Sequence, residues 1–285
     1  MSHGNDATPS QWDRHVRQWS LLKAPLAPCA EDIRLIEDAL AWRFADRDSL
    51  DALMLGVTPA VASHDWRPTL NMLAVDITMV MIQRVWPGND ARRRVICGDW
   101  LRLPLRDGCF DLALIDGGLP ALTFPDAHQE LATELYRVLR PGGEFIARIF
   151  ARPDTSESVD DVLAALNDGK IGNFHVFKWR LAMALQGDNV SKGIRVEEVW
   201  QTYEKRCGPH ARMQRFTGWP IEEISTIDAY RGSQAIYHFP TVSEMVGVLG
   251  DGLTCIGRVQ PRYELGERCP TLVFDARRHE RCWWP

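Results

Sequence analysis

Four short polar or glycine-containing segments each follow an apolar run in the first half of the chain, at Gly56-Val57-Thr58, Asp76-Ile77, Gly98-Asp99-Trp100 and Asp116-Gly117. Carboxylates accept hydrogen bonds from hydroxyl and amine groups, and an indole offers a flat apolar surface. Glycine lets a ligand approach the backbone. Ligands of open α/β sheets bind outside the carboxyl ends of the strands, so these segments are predicted to form one binding site.

The spacing of the acidic residues favours a nucleoside ligand. Asp76 lies twenty residues after Gly56, the usual interval for an acid that accepts hydrogen bonds from ribose hydroxyls. Asp99 can accept from an exocyclic amine, while Trp100 offers an aromatic surface to a flat base. Taken singly, an aspartate after a strand is more often a turn former or helix cap. Four such segments, each at the end of a predicted strand, point instead to a binding site.

The first of these turns also predicts a helix start. Thr58 suits the N-cap position and Pro59 the first helical position, so free backbone N–H groups would face an anionic group such as a carboxylate.

The elements that must position these residues alternate between strand and helix. Near-continuous apolar runs predict strands buried on both faces at residues 52–56, 71–76, 94–99, 110–116 and 143–150. Between the last two, Leu131 and Leu135 repeat at helical spacing, Asp126 and Gln129 resemble a capping box, and Pro141-Gly142-Gly143 is predicted to end the helix. This alternation indicates a parallel sheet covered by helices.

The remaining segments suggest three parts. Residues 1–48 are predicted to form a helical segment over one end of the sheet, and residues 49–150 with 242–278 the α/β core, its last two strands at 254–261 and 269–276. Residues 151–241 are predicted to be a helical insertion that covers the substrate. Its aromatic-rich helix either lines an acceptor pocket or packs the insertion onto the core, through Phe174, Phe177, Trp179 and Met183.

The segments "ALMLGVT", "LAVD", "VICGDWLRLPLRDGCFDLALID" and "LYRVLRPGGEFIARIF", between residues 50 and 150, resemble the class I S-adenosylmethionine-dependent methyltransferases. The resemblance implies an α/β, Rossmann-like, seven-stranded and mostly parallel sheet with helices on both faces and the last strand antiparallel. It implies S-adenosylmethionine as cofactor and S-adenosylhomocysteine as product. It places Gly56 beside the methionine part, Asp76 on the ribose and Asp99 on the adenine amine.

The cofactor-binding set expected from the resemblance and the strand ends is Gly56, Val57, Thr58, Asp76, Ile77, Gly98, Asp99, Trp100, Asp116 and Gly117. The family usually carries G-x-G-x-G after the first strand, whereas this chain has "GVTPA" with only the first glycine. We interpret Thr58-Pro59 as a capped helix start that replaces the flexible loop.

Methyl transfer needs a general base only when the acceptor must lose a proton. The candidates for catalytic residues are Asp116 at the end of the fourth strand, His128 on the following helix and His175 in the insertion. A capping or exposed histidine near a helix start is the alternative for His128.

Other functions fit the sequence less well. An NAD-dependent dehydrogenase shares the fold but normally needs G-x-G-x-x-G, which "GVTPAV" lacks. A catalytically inactive scaffold is the other alternative, because an eroded motif is expected of one. The net charge of -5 argues against nucleic acid and favours a small-molecule acceptor.

Location and assembly are predicted from composition. Seven scattered cysteines without a C-x-x-C pair suggest a reducing compartment. With no signal peptide or membrane span recognised, a cytoplasmic location without membrane contact is expected. No metal site is expected from the histidine spacing. Tryptophans near both ends are candidates for a homodimer contact, namely Trp12, Trp19, Trp283 and Trp284.

Overall fold

A computed structural model describes residues 11–250 and 252–276 of the chain. Its main sheet has seven strands, β1 to β5 with β8 and β9, and a separate antiparallel pair is formed by β6 and β7. The strands are β1 Ser49–Leu55, β2 Thr69–Asp76, β3 Arg93–Cys97, β4 Phe110–Asp116, β5 Leu139–Arg148, β6 Ile194–Arg195, β7 Ile236–Tyr237, β8 Thr254–Val259 and β9 Thr271–Asp275.

The strand order is β3-β2-β1-β4-β5-β9-β8. The first five strands are parallel, and β9 inserts antiparallel between β5 and β8. The predicted seven-stranded, mostly parallel sheet is therefore confirmed, including its antiparallel last strand.

Helices precede the sheet, cover it and fill the segment between β5 and β8. They are α1 Gln11–Gln18, α2 Ala30–Arg43, α3 Pro59–Ala62, α4 Met79–Arg84, α5 Asp126–Val138, α6 Val159–Asn167, α7 Phe174–Gln186, α8 Val196–Cys207, α9 His210–Thr217, α10 Ile221–Ile224 and α11 Val242–Leu249. Short 3-10 turns lie at Trp19–Leu21, Leu119–Ala121, Ser225–Tyr230 and Gly266–Arg268.

The two faces of the sheet are both buried because successive side chains of a strand point to opposite sides. Leu53, Ala113 and Phe145 belong to a hydrophobic core that includes residues of α5 and α11. Their neighbours Ala52, Leu112 and Ile146 belong to a second core with residues of α2 and α3. Burial on both faces explains why the strand sequences are apolar throughout.

The ends of α5 differ from the prediction. The N-cap position is Pro125, and no side chain caps the helix, so the Asp126–Gln129 capping box does not form. The helix ends at Val138, before Pro141, because Leu139 already pairs with Phe110 of β4. Pairing with the sheet therefore ends this helix before the chain reaches the Pro-Gly-Gly sequence.

The helices between β5 and β8 surround a core of their own. Phe174 packs against Phe177, Tyr203 and Trp219 with ring centroids 5.8 to 6.1 Å apart. The division of the chain into three parts stays a prediction. Residues 277 and 278 of the predicted core, and Trp283 and Trp284 of the predicted subunit contact, lie outside the described residues.

The antiparallel strand can be tested through Phe274 of β9, which is fully buried and stacks on Phe145 of β5 with ring centroids 5.9 Å apart. Phe274→Ala is expected to lower the free energy of unfolding by about 3–5 kcal/mol, because the cavity it leaves cannot fully collapse. Urea unfolding measures the change. Val259→Ala in β8, where the residue is 40% exposed, is the control, and equal losses in both variants would contradict the packing described.

Candidate active site

Two adjoining cavities form a cleft at the carboxyl ends of β1, β2 and β4. The inner cavity has a volume of 140 Å³ and the outer one 220 Å³. Five residues line both cavities, namely Trp12, Asp76, Met81, Trp100 and Gly118. The cleft lies at the edge of the sheet where the sequence predicts the site.

The turn after β1 borders the inner cavity. Gly56 has φ +100°, a conformation that side chains rarely adopt, and its N–H donates to Val75 O at 2.8 Å. Thr58 occupies the N-cap position of α3, but its side chain makes no capping bond. Because α3 has a single turn, it lacks the length that builds a helix dipole. The prediction that the Thr58 side chain caps this helix is therefore wrong. The single turn also attracts an anion only weakly.

Asp76 ends β2 and lines both cavities. Asp76 is 8% exposed, and its Oδ1 accepts a hydrogen bond from Thr78 N at 2.7 Å. Burial raises the pKa of Asp76, while the Thr78 N–H opposes this shift. Next to it, Ile77 is 66% exposed and lines the outer cavity. A buried carboxylate with these surroundings gains from hydroxyl donors on a ligand.

Asp99 and Trp100 follow β3. Asp99 is exposed at the outer cavity, and its Oδ1 accepts from Leu101 N at 2.9 Å. Trp100 Nε1 donates to Val75 O at 2.7 Å, which fixes the indole between the two cavities. Gly118 lies against this indole, because a Cβ there would meet Trp100 Cη2 at 2.8 Å.

Gly98 is the one predicted cofactor-binding residue that lines neither cavity. A Cβ at Gly98 would meet Val75 Cγ1 at 3.0 Å and Pro104 Cδ at 3.4 Å. Its small size therefore serves packing between β2 and the segment after β3. The other nine predicted residues all border the cleft.

Asp116 is bound to a buried arginine. Arg148 Nε donates to Asp116 Oδ1 at 2.5 Å, and Arg148 Nη1 donates to Pro25 O at 2.7 Å. Although burial alone disfavours its charge, the Asp116 carboxylate and other acidic groups raise the pKa of Arg148. The ion pair holds the Asp116 carboxylate in a fixed position at the border of the inner cavity. The contact thus favours a positioning role for Asp116 over the predicted role of base.

Aromatic residues from segments far apart in sequence line the inner cavity. They come from α1, the 3-10 turn that follows it, α7 and the turn Ser225–Tyr230, namely Trp12, Trp19, Trp179 and Tyr230. Of the four insertion residues proposed for a pocket, only Trp179 borders the cleft. Phe174, Phe177 and Met183 pack in the core of the insertion. Trp12 and Trp19, expected at a subunit contact, line the cleft.

His15 also lines the inner cavity and is absent from the residues that the sequence predicts. Burial, followed by the charges of Lys178 and Arg14, lowers the pKa of His15 to about 3, so its imidazole is neutral at pH 7. Burial likewise lowers the pKa of Lys178 to about 7. Trp12, His15 and Trp19 recur at i, i+3 and i+7, a spacing that could have revealed this apolar face.

The two histidines predicted to be catalytic do not reach the cleft. His128 is fully buried, with Nδ1 3.4 Å from Thr123 O, and burial lowers its pKa to about 4. His175 is also fully buried, with Nε2 3.0 Å from Leu21 O, and burial lowers its pKa to about 3. Both predictions are corrected, since helices α5 and α7 turn these side chains into the protein.

Apart from this cleft, the described residues form no second candidate site at the carboxyl ends of the strands. A larger cavity of 270 Å³ lies among α6, α8 and α9, with Leu163, Arg206 and Phe216 in its walls. Among the described residues, no group of three or more His, Cys, Asp or Glu is placed to hold a metal ion. In the same part of the chain, no helix has the length and apolar character to cross a membrane.

The strand ends that line the cleft lie in a segment that matches a known family model. Residues 53–147 match the family model described as a methyltransferase domain. Residues 53–147 are therefore similar to a methyltransferase domain, which supports the class I S-adenosylmethionine-dependent methyltransferase superfamily for this segment. The chain is 31% identical over 130 residues to the ubiquinone/menaquinone biosynthesis C-methyltransferase UbiE of Ruegeria sp. (strain TM1040). This match covers 44% of this chain and 48% of the UbiE protein. The chain spans 29% to 54% of the length of the curated relatives it matches.

Solved structures agree on the α/β fold of the chain. One is the N-methyltransferase NodS from Bradyrhizobium japonicum WM9 in complex with S-adenosylhomocysteine, with a TM-score of 0.50 at 13% identity. The match covers 94% of this chain and 99% of the NodS chain. A Rhodobacter sphaeroides protein described as a candidate Zn-dependent alcohol dehydrogenase has a TM-score of 0.57 at 13% identity, with coverages of 93% and 98%. At these identities the likeness shows the α/β fold alone.

The ion pair between Arg148 and Asp116 can be tested by a double-mutant cycle. Arg148→Met and Asp116→Asn are each expected to lower the free energy of unfolding by about 3–5 kcal/mol, because each leaves a buried charge without its partner. The double variant should lose less than the sum of the two. Chemical unfolding measures all four proteins, and strictly additive losses would contradict the coupling of the two charges.

Proposed function

We propose that the protein transfers a methyl group from S-adenosylmethionine to a small, apolar acceptor bound in the cleft. One observation carries the proposal: the buried Asp76 carboxylate, the Gly56 turn and the Trp100 indole meet an aromatic cavity in a single cleft. A scaffold without a ligand has no need of this combination. The family match supports the cofactor, and the cleft supports the acceptor class.

The residues present fit the cofactor. In the proposed arrangement Asp76 accepts hydrogen bonds from the ribose hydroxyls, while Asp99 accepts from the adenine amine beside the Trp100 ring. Gly56, which has no side chain at the border of the inner cavity, admits the methionine part next to Asp116 and Gly117. When bound, the cofactor supplies a methyl group on a positively charged sulfur that is already reactive.

The acceptor is proposed from the walls of the inner cavity. Those walls come from tryptophan, tyrosine, phenylalanine and leucine side chains, and the imidazole among them is neutral. Asp116 is already neutralised by Arg148. The family model ends at residue 147, before α7 and the Ser225–Tyr230 turn. The names of relatives therefore do not specify this acceptor, and the cavity favours an uncharged, apolar molecule.

The chain's contribution to the reaction is positioning. Aligning the acceptor atom, the methyl carbon and the sulfur in line can contribute roughly 7–11 kcal/mol to lowering the barrier. Arg148 holds Asp116 and the carbonyl of Pro25 together, so the floor of the cleft and the segment before α2 keep a fixed geometry. The aromatic side chains give the inner cavity largely apolar walls. No proton transfer by the chain is required when the acceptor is already nucleophilic.

Cofactor binding tests the proposal directly. Isothermal titration with S-adenosylmethionine and S-adenosylhomocysteine is expected to show binding by the unmodified protein. Asp76→Ala should weaken it by about tenfold or more, since hydrogen bonds to charged groups contribute about 1.5–3 kcal/mol. Asp99→Ala should weaken it less, because that carboxylate is exposed.

Asp48→Ala is the matched control, because Asp48 is an exposed carboxylate just before β1, at the opposite edge of the sheet. Its affinity should match that of the unmodified protein. If folded protein binds neither compound, the methyltransferase proposal is wrong and the scaffold alternative gains. Unchanged affinity in both site variants would overturn the assignment of Asp76 and Asp99.

Asp76 also predicts a dependence of stability on pH. Its pKa is raised in the folded state, so the folded protein holds this proton to higher pH than the unfolded chain, and stability falls as pH rises through that interval. Asp76→Asn removes this cost. The ligand-free variant is therefore expected to melt at a higher temperature than the unmodified protein at pH 7, with a difference that narrows as pH falls. Thermal unfolding across pH measures it, and a lower melting temperature at pH 7 would contradict the prediction.

A further inference from the structure

The helices between β5 and β8 enclose a cavity of their own, apart from the cleft. It has a volume of 270 Å³ and lies between α6, α8 and α9. It shares no lining residue with either cavity of the cleft. All of its lining residues come after residue 147, where the family model ends. A site here would therefore be a property of this segment and not of the part that matches the family.

One part of the cavity wall is apolar. All three helices contribute to it, namely through Leu163, Leu166, Cys207, Met213 and Phe216. Leu166, Cys207 and Met213 are buried, whereas the Phe216 ring is 56% exposed. Burial raises the pKa of the Cys207 thiol to about 11, so this thiol is uncharged at pH 7 and adds no negative charge to the wall. This part of the cavity can contact the apolar body of a ligand.

The rest of the wall is basic. Arg206 of α8 and Arg212 of α9 line the cavity together with Asn167, and no Asp or Glu does so. The chain as a whole has more acidic than basic residues, 38 against 33, so the positive charge of this wall is a local feature. An apolar wall that adjoins two positive charges, without a negative one, is complementary to an amphipathic anion.

Both guanidinium groups are accessible to a ligand. Arg206 Nη2 donates to Asp160 Oδ1 at 2.5 Å, but the two side chains are 42% and 81% exposed, and such a surface pair contributes little. Arg212 is exposed and takes part in none of the ion pairs among the described residues. Its Nη1 lies 3.5 Å from the position that a Cβ of Gly208 would occupy. Both arginines oppose the effect of burial on the pKa of Cys207, so the two charges lie near the same wall residue.

We propose that this cavity binds an amphipathic carboxylate, whose apolar body lies between α6 and α9 and whose carboxylate pairs with Arg206 and Arg212. A guanidinium suits this role because it can bind a carboxylate through two parallel hydrogen bonds. The volume of 270 Å³ is nearly twice the roughly 150 Å³ of a protein cavity that binds benzene, which corresponds to a ligand of about ten non-hydrogen atoms. Octanoate has this size. The proposal does not depend on the proposed methyl transfer.

Octanoate and octanamide separate recognition of charge from simple burial of an alkyl chain, because they are equal in size and only octanoate is charged. NMR titration of protein that carries ¹³C-methyl methionine gives the Kd of each ligand and the place where it binds. Met213 lines the proposed cavity, whereas Met81 lines the cleft. Met213→Leu and Met81→Leu assign the two resonances.

In the unmodified protein, octanoate is expected to shift the Met213 methyl resonance in a saturable way, with a lower Kd than octanamide. Three results would overturn the proposal: no saturable shift of the Met213 resonance, a shift of the Met81 resonance alone, or equal Kd values for the two ligands. The second result would mean that the alkyl chain binds in the cleft.

Arg212→Gln removes one of the two charges and keeps most of the side-chain length. It is expected to raise the Kd for octanoate about fivefold, as for an ion pair that is partly exposed to water, and to leave the Kd for octanamide unchanged. Arg215→Gln is the matched control, because Arg215 is an exposed arginine on the same helix that does not line the cavity. Equal increases in the two variants would show only a long-range attraction and would overturn the proposal.

Discussion

The buried charge of Arg148 is the constraint on which the cleft depends. A guanidinium that is fully buried must be paired, because an uncompensated charge in the interior costs several kcal/mol. Its partners are the Asp116 carboxylate at the end of β4 and the carbonyl of Pro25 in the segment before α2. One side chain at the end of β5 thus joins two strand ends and the N-terminal segment, and these are the parts that enclose the inner cavity.

The turn after β1 in the same region carries a single glycine. Gly56 keeps the positive φ that the turn requires, while Trp100 packs against Gly118 and is tied to Val75 O by its indole N–H. Where family members usually have further glycines after the first strand, this chain has a one-turn helix and buried Val57 and Thr58. Gly118 thus makes room for the Trp100 indole, and Gly56 supplies the positive φ of the turn.

The acceptor side of the cleft is assembled from distant segments. Trp12 and His15 come from α1, Trp179 from α7 and Tyr230 from the turn before β7. Ring contacts of Trp12 and Tyr230 with His15, and of Trp179 with Phe150, bury apolar area and hold these segments together.

The sequence by itself determined the α/β class and the strand positions. Of the ten cofactor-binding residues that it predicted, nine border the cleft. It could do so because strands buried on both faces need continuous apolar runs, and parallel strands bring their carboxyl ends to one edge. It did not predict the ends of α5, the place of Gly98, or the burial of His128 and His175, because pairing and packing with distant segments decide these. Only the tertiary structure placed His15, Trp12 and Trp19 at the cleft and paired Asp116 with Arg148. Contacts between different elements decide these placements, such as the ion pair across the 32 residues from Asp116 to Arg148, and a local sequence pattern does not specify the partner.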